Sequence, residues 1–235
     1  MLKPREWNNR VVIWVDKHGK QGLFTPEGTP RPAVCKLLTG GIAVLGLDLL
    51  GQGEFTADGQ PLATQRLQPL DEEPWKQYAE KLWGKYAGFT FGYNYSLFSK
   101  RVHDILSAIA FARDMAPDQV RVDLVGLGGA GHWIAGARAQ AGTIVERTAI
   151  DTGGFRFASV SAFDDPDFVP GAVTYLDLPG LIALSVPGKL WLAGENDDPS
   201  VVRQTYQAAG TAERITIAAD DIPDHEMAAV VWLLP

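Results

Sequence analysis

Six short runs of mostly apolar residues alternate along this chain with segments of helical character. The runs occupy residues 10–15, 42–47, 120–125, 144–150, 189–193 and 214–218. Near-continuous apolar runs of this length are typical of strands that are buried on both faces of a sheet. Strands that alternate with helices predict a parallel sheet covered on both sides, because right-handed crossovers return each strand to the same sheet. The sequence therefore predicts an α/β fold with a doubly wound, mostly parallel sheet of about six strands.

The helical segments complete this prediction. The clearest spans residues 100–115, where Val102, Ile105, Leu106 and Ile109 recur at the spacing of one helix face. A length of 235 residues fits one α/β domain, so residues 1–235 are predicted to form a single domain. A polar, aromatic-rich segment at about 51–99 predicts a long loop or cover insertion, with a helix at 73–85. Its aromatic residues fit a binding cover and core packing equally well.

Composition excludes several classes of function. The formal net charge of −7 argues against a nucleic-acid partner, since such proteins usually present a basic face. The single cysteine, Cys35, excludes an internal disulfide and a multi-cysteine metal site, and its apolar neighbours predict that it packs in the core. No apolar run reaches the length of a membrane span and no signal-peptide core is present, which predicts a soluble protein consistent with the cytoplasm. No cofactor is expected. No metal is expected either, because Asp164, Asp165 and Asp167 lack calcium-loop spacing and fit a solvated turn.

The glycine turn GLGGAG at residues 126–131 lies between a predicted strand and a predicted helix. Gly126, Gly128 and Gly131 have the spacing of a dinucleotide-binding fingerprint, although this turn does not open the fold. The same residues fit a nucleophile elbow, the sharp turn that lifts a serine above a sheet, with Gly128 in the nucleophile position. A third interpretation is a structural turn with no chemistry.

The order of later polar residues favours the elbow. Asp197 follows the strand at 189–193, and His225 lies between the last strand and the last helix. The order turn, acid, histidine is the order of nucleophile, acid and base in α/β-hydrolases. Asp151, which ends the strand at 144–150, is an alternative acid partner for His225, and Gly129 would supply a backbone N–H to an oxyanion.

The remaining histidines have weaker assignments. His18 follows the first strand, His103 lies on the flank of the clearest helix, and His132 follows the glycine turn. We expect His132 to be a helix N-terminal residue that contacts backbone or water.

The chain resembles the α/β-hydrolase superfamily, and within it the bacterial acetyl-xylan-esterase-like hydrolases. The segments that carry the resemblance are 42–54 with its D-x-x-G-x-G-E pattern, the turn at 125–131, the acid loop at 194–197 and the histidine loop at 224–226. The resemblance covers nearly the whole chain and implies an esterase acting on small carboxylic esters, including acetylated carbohydrates. In the family the nucleophile is a serine, whereas this chain has Gly128, and the family's first two strands have no counterpart here.

These departures leave three functions open. The first is an esterase-like hydrolase in which His225 and Asp197 activate water above Gly128. The second is a non-catalytic binding module of the same fold, and the third is a dinucleotide-binding domain. A small-molecule ester or carbohydrate ligand is expected, with no nucleic-acid or membrane partner. The missing strands predict an uncovered sheet edge and, through it, pairing with a second copy of the chain.

Overall fold

The computed structural model describes residues 1–65, 91–115, 120–219 and 221–234. The strands are β1 (Arg10–Val15), β2 (Ala43–Gly46), β3 (Arg121–Gly126), β4 (Val145–Asp151), β5 (Lys189–Ala193) and β6 (Ile215–Ile217). They form one sheet in the order β2-β1-β3-β4-β5-β6, and every neighbouring pair is parallel. The predicted α/β class and doubly wound parallel sheet are confirmed.

Helices cover both faces of the sheet. They are α1 (Pro32–Thr39), α2 (Leu97–Asp114), α3 (Gly131–Ala141), α4 (Asp177–Ala183), α5 (Ser200–Ala208) and α6 (His225–Leu233). Strand residues alternate between two cores: Ile13 faces the core built with α2 to α5, and Trp14 faces the core built with α1 and α6. Both side chains are fully buried, as a strand covered on two sides requires.

Part of the predicted cover insertion at 51–99 lies outside the described residues, including the whole of the predicted helix at 73–85. Its described parts, 51–65 and 91–99, include a short 3₁₀ turn at Gly53–Phe55 and the first residues of α2. Ser96 caps α2 by accepting a hydrogen bond from the Ser99 N–H. No helix in the described ranges has both the length and the apolar character needed to cross a membrane.

A buried ion pair joins the amino-terminal parts of the central strands. Arg10 on β1 contacts Asp123 on β3 at 2.6 Å and Glu146 on β4 at 2.9 Å. Asp123 is completely buried, and this burial raises its pKa to about 6 although the charge and hydrogen bond of Arg10 oppose the rise. Asp123 Oδ2 contacts Arg10, and Asp123 Oδ1 accepts the backbone N–H of Arg147 on β4. These contacts fix β1, β3 and β4 relative to one another.

At the periphery, the expectation for Cys35 is wrong, and pairing through the sheet edge stays a prediction. Cys35 is exposed on α1 instead of packed in the core, because the buried face of this helix is formed by Ala33, Val34 and Leu37. The edge strand β2 is also partly covered: Leu2 and Val44 exchange two backbone hydrogen bonds of 2.8 and 2.9 Å. This coverage weakens the reason for expecting pairing through that edge, since Val44 already has backbone partners.

Candidate active site

The carboxyl ends of the parallel strands lie along one edge of the sheet and bring distant residues together. Asp16 follows β1, the glycine turn follows β3, Asp151 ends β4, and the loop at 194–198 follows β5. His225 begins α6, which comes after β6. Ligands of open parallel sheets bind at this edge, so the site is where the fold predicts one.

The turn after β3 is tight and open to solvent. Gly128 and Gly129 have φ values of +57° and +86°, a region that side chains disfavour, and both are exposed. No backbone group in the described part of the chain accepts the Gly129 N–H. The N–H of an exposed residue without a backbone acceptor is available to an oxyanion, as the sequence predicts for Gly129.

His225 is paired with a carboxylate. Its Nδ1 lies 2.9 Å from Asp151 Oδ2, and its ring packs edge-to-face with Trp191 at 6.2 Å between centroids. A carboxylate at Nδ1 favours a proton on that nitrogen, which leaves Nε2 as an acceptor in the neutral ring and as a donor in the protonated ring. Asp151 is itself held, since its Oδ1 accepts the Gly153 N–H at 2.9 Å. This is the arrangement of a histidine base oriented by an acid.

The structure thus joins His225 to the alternative acid, Asp151, and places Asp197 apart. Asp197 is exposed and lines a cleft of about 870 Å³ that also contains His225. Its neighbours Glu195 and Asp198 are paired with Arg156 and Arg203 at 2.7 and 2.9 Å. Asp197 can therefore contact a ligand in the cleft, whereas Asp151 on β4 orients His225.

A residue that the sequence analysis did not single out stands at the turn. The Asp16 side chain is 6% exposed, and its Oδ1 accepts the His18 N–H at 2.8 Å. A Cβ built on Gly128 would overlap Asp16 Oδ2 and lie 3.0 Å from Asp16 Cγ. The space that the side chain of a residue at 128 would occupy is therefore filled by a carboxylate.

Comparison with solved structures identifies the architecture. A Bacteroides fragilis crystal structure described as that of an acetyl xylan esterase aligns with a TM-score of 0.59 and 11% identity. The alignment covers 95% of this chain and 67% of that one. The glucuronoyl esterase catalytic domain from Hypocrea jecorina gives 0.56 and 14% over 100% and 69%. Est1E from Butyrivibrio proteoclasticus, solved with ferulic acid, gives 0.56 and 12% over 98% and 89%. No protein-family model and no curated protein sequence matches the chain.

The chain has an α/β-hydrolase-like fold. The turn at 126–131 joins β3 to α3 at the carboxyl edge of the sheet. Two glycines explain how the turn is built: a Cβ on Gly126 would meet Ile134 Cγ1 at 2.6 Å, and a Cβ on Gly131 would overlap the Asp151 backbone. The turn is therefore closely packed against α3 and β4, and its exposed positions, Gly128 and Gly129, carry no side chain.

The other histidines of this α/β-hydrolase-like chain lie in three different environments. His103 is exposed on α2, as expected, and His18 contacts Asp16 Oδ1 through Nδ1 at 3.2 Å. The expectation for His132 is wrong: its ring is buried, stacks on Phe155 at 4.2 Å and lies 3.1 Å from Asp167 Oδ1. Aromatic neighbours on three elements exclude water from this position.

The acidic turn at 164–167 is also less solvated than expected. Burial alone would raise the pKa of Asp167, but the contacts with His132, the Trp133 N–H and Arg101 outweigh burial and hold it below its usual value. Asp167 thereby ties the turn to α2 and α3. Among the described residues, no group of three or more potential metal ligands forms a metal site.

Asp224 places His225 at the start of α6. Its side chain accepts the Met227 N–H at 2.8 Å and so caps the helix. We expect Asp224→Ala to lower the free energy of unfolding by about 1 kcal/mol, measured by urea titration. Asp221→Ala, which removes an exposed carboxylate outside the helix, should stay within about 0.5 kcal/mol of the wild type. Equal losses in the two variants would contradict the capping role.

Proposed function

We propose that this protein is an esterase-like hydrolase for small carboxylic esters in which water takes the place of a serine nucleophile. The observation that carries the proposal is the 2.9 Å contact between His225 Nδ1 and Asp151, at the same sheet edge as the N–H of the exposed residue Gly129. His225 exchanges protons with the reacting atoms, and the Gly129 N–H stabilises the oxyanion. The resemblance adds acetylated carbohydrates as a substrate class, and the structural neighbours include esterases.

The site contains enough of the catalytic apparatus for measurable turnover. In triad enzymes, loss of the nucleophile leaves a rate about 10³ to 10⁴ above the reaction in water, because binding and the oxyanion hole still act. The cleft of about 870 Å³ beside His225 has room for an ester with a small alcohol or sugar group. Slow hydrolysis without an acyl-enzyme is therefore the expected activity.

The test is hydrolysis of p-nitrophenyl acetate by the wild type and four variants. We expect His225→Ala to lower kcat/KM at least about 100-fold and Asp151→Asn about 10- to 100-fold, because general acid–base groups contribute factors of this size. Asp197→Asn should stay within about threefold if Asp151 orients the imidazole. His103→Ala is the matched control, since His103 is exposed on α2 and should not affect the rate. A wild-type rate equal to that of His225→Ala would overturn the proposal.

One observation favours a second function. Asp16 occupies the space beside Gly128, so the same scaffold is consistent with a binding module that has lost ester turnover. A wild type without His225-dependent hydrolysis that still binds an acetylated oligosaccharide in calorimetry would favour that module. The dinucleotide alternative is less compatible with the site, because a pyrophosphate at Gly128 would meet the Asp16 carboxylate. Calorimetry with nicotinamide and flavin nucleotides tests it directly.

A further inference from the structure

We infer that Asp16 is a catalytic residue: its Oδ2, located where an elbow side chain would lie, is the base that deprotonates the attacking water. This inference rests on the proposed ester hydrolysis. It divides the proton transfers between two groups, with Asp16 acting on the water and His225 on the leaving alcohol.

Two glycines make room for the Asp16 carboxylate from opposite parts of the chain. A Cβ on Gly128 would overlap Oδ2, and a Cβ on Gly22 would overlap Cγ and lie 2.5 Å from Oδ1. Since ordinary contacts of a Cβ begin near 3.4 Å, neither position accommodates a side chain while the carboxylate stays in place. The carboxylate is thus enclosed by backbone on two sides and fixed beside the turn.

The two oxygens of Asp16 have different environments. Oδ1 accepts the His18 N–H at 2.8 Å and lies 3.2 Å from His18 Nδ1, so its position is set by the loop after β1. Oδ2 is the oxygen that adjoins Gly128, and no hydrogen bond within the described residues involves it. It therefore retains lone pairs for a water molecule.

A purely structural role explains this side chain poorly. Asp16 is 6% exposed, and in the described part of the chain its ion pairs within 4.0 Å comprise His18 alone. An uncompensated buried carboxylate is costly, whereas Asn or Ser would accept the same His18 N–H without a charge. A carboxylate at the same sheet edge as an oxyanion donor and a histidine–acid pair is typical of a catalytic group.

The proposed reaction needs no group beyond these residues and water. Asp16 takes a proton from water as the oxygen bonds to the ester carbonyl carbon, and the Gly129 N–H stabilises the resulting oxyanion. The bond to the alcohol oxygen then breaks, and protonated His225 gives its proton to that oxygen. The acid product returns one proton to His225 and Asp16 releases its proton to solvent. Ester and water become alcohol, carboxylate and one proton.

A base is favoured over a covalent carboxylate nucleophile by leaving-group chemistry. Attack by Asp16 itself would form a tetrahedral adduct that expels the carboxylate more readily than an alkoxide. Alkyl and sugar esters would therefore return to starting material along the covalent route.

The first experiment compares Asp16→Asn with Asp48→Asn. Asp48 is a matched control, because its side chain is also 6% exposed, accepts backbone N–H groups from Lys20 and Glu54, and adjoins glycines. We expect Asp16→Asn to lower kcat/KM for p-nitrophenyl acetate at least about 100-fold and Asp48→Asn to stay within about threefold. If Asp16→Asn does not fold, Asp16→Ser replaces it, since Ser retains an acceptor for the His18 N–H.

Two further measurements distinguish a base from a positioning residue. Formate added to Asp16→Gly should restore hydrolysis at least about tenfold, because a free carboxylate can enter the vacated space. In wild-type turnovers in ¹⁸O-water, the label should enter the acid product and not Asp16. Label in Asp16 would overturn the inference in favour of a covalent nucleophile, and a loss without formate rescue would overturn it in favour of a structural role.

The outcomes separate this inference from the proposed function. If hydrolysis depends on His225 while Asp16→Asn or Asp16→Ser remains within threefold of the wild type, the esterase stands and the role of Asp16 is wrong. If the wild type shows no His225-dependent hydrolysis, the proposed function fails and this inference fails with it.

Discussion

Introducing a serine by Gly128→Ser alone is expected to destabilise the protein by about 2–4 kcal/mol and to produce no gain in esterase activity. The backbone at Gly128 has φ +57°, which costs a side chain about 1–2 kcal/mol. The new Cβ also overlaps Asp16 Oδ2, so a buried carboxylate must move. Thermal and urea unfolding measure the first effect, and p-nitrophenyl acetate hydrolysis measures the second.

The double variant Gly128→Ser/Asp16→Gly should behave differently. Removal of the carboxylate leaves space for the serine, and His225 with Asp151 is available to activate it. We expect a burst of p-nitrophenol and an acetylated protein detectable by mass spectrometry, with Asp16→Gly as the control that shows neither. A burst in Gly128→Ser alone, with wild-type stability, would mean that Asp16 does not occupy the nucleophile space.

Replacing Arg10 by Met is expected to destabilise the protein by about 3–5 kcal/mol near neutral pH, the largest effect on stability that we expect. The substitution leaves Asp123, which is completely buried, without its 2.6 Å cation partner. Arg10→Met/Asp123→Leu is the matched variant, because it removes both charges and should recover most of the loss. Urea titration at a fixed pH gives all three free energies.

The loss in Arg10→Met should depend on pH in a defined direction. Burial raises the pKa of Asp123 from 3.8 to about 6, and Arg10 opposes the rise, so the variant's pKa is higher still. The folded state then holds the proton more tightly than the unfolded chain. The stability contributed by protonation is present at low pH and is lost as the pH rises through the folded pKa. Lowering the pH from about 7.5 to about 5.5 should therefore reduce the difference from wild type, and a constant difference would contradict this account.

The sequence was sufficient to predict the sheet because each strand is short, apolar and bounded by turn residues. Such runs have few alternatives in a chain of this size, and the parallel order follows from the intervening helices. It was not sufficient to choose between Asp151 and Asp197 as the partner of His225. Both acids follow neighbouring parallel strands and reach the same edge, so only the relative position of β4, β5 and α6 separates them.

Asp16 illustrates what sequence patterns miss. It immediately follows β1, yet its significance depends on Gly128, which lies 112 positions further along the chain and becomes adjacent only because β1 and β3 are neighbours. His132 was misjudged for a related reason. A histidine at a helix start is usually solvated, but here Phe155 and Asp167 come from later loops and cover the ring. Contacts between loops are not encoded in local periodicity.

The exposure of Cys35 gives experimental access to the site from outside it. This is the chain's one cysteine, and it lies on the outer surface of α1, the helix that packs beside α6 on one face of the sheet. A maleimide fluorophore would therefore attach at one place without engineering, and the label would not compete for the cleft. Movements of α6 that carry His225 could then be followed as changes in emission while ligands are added.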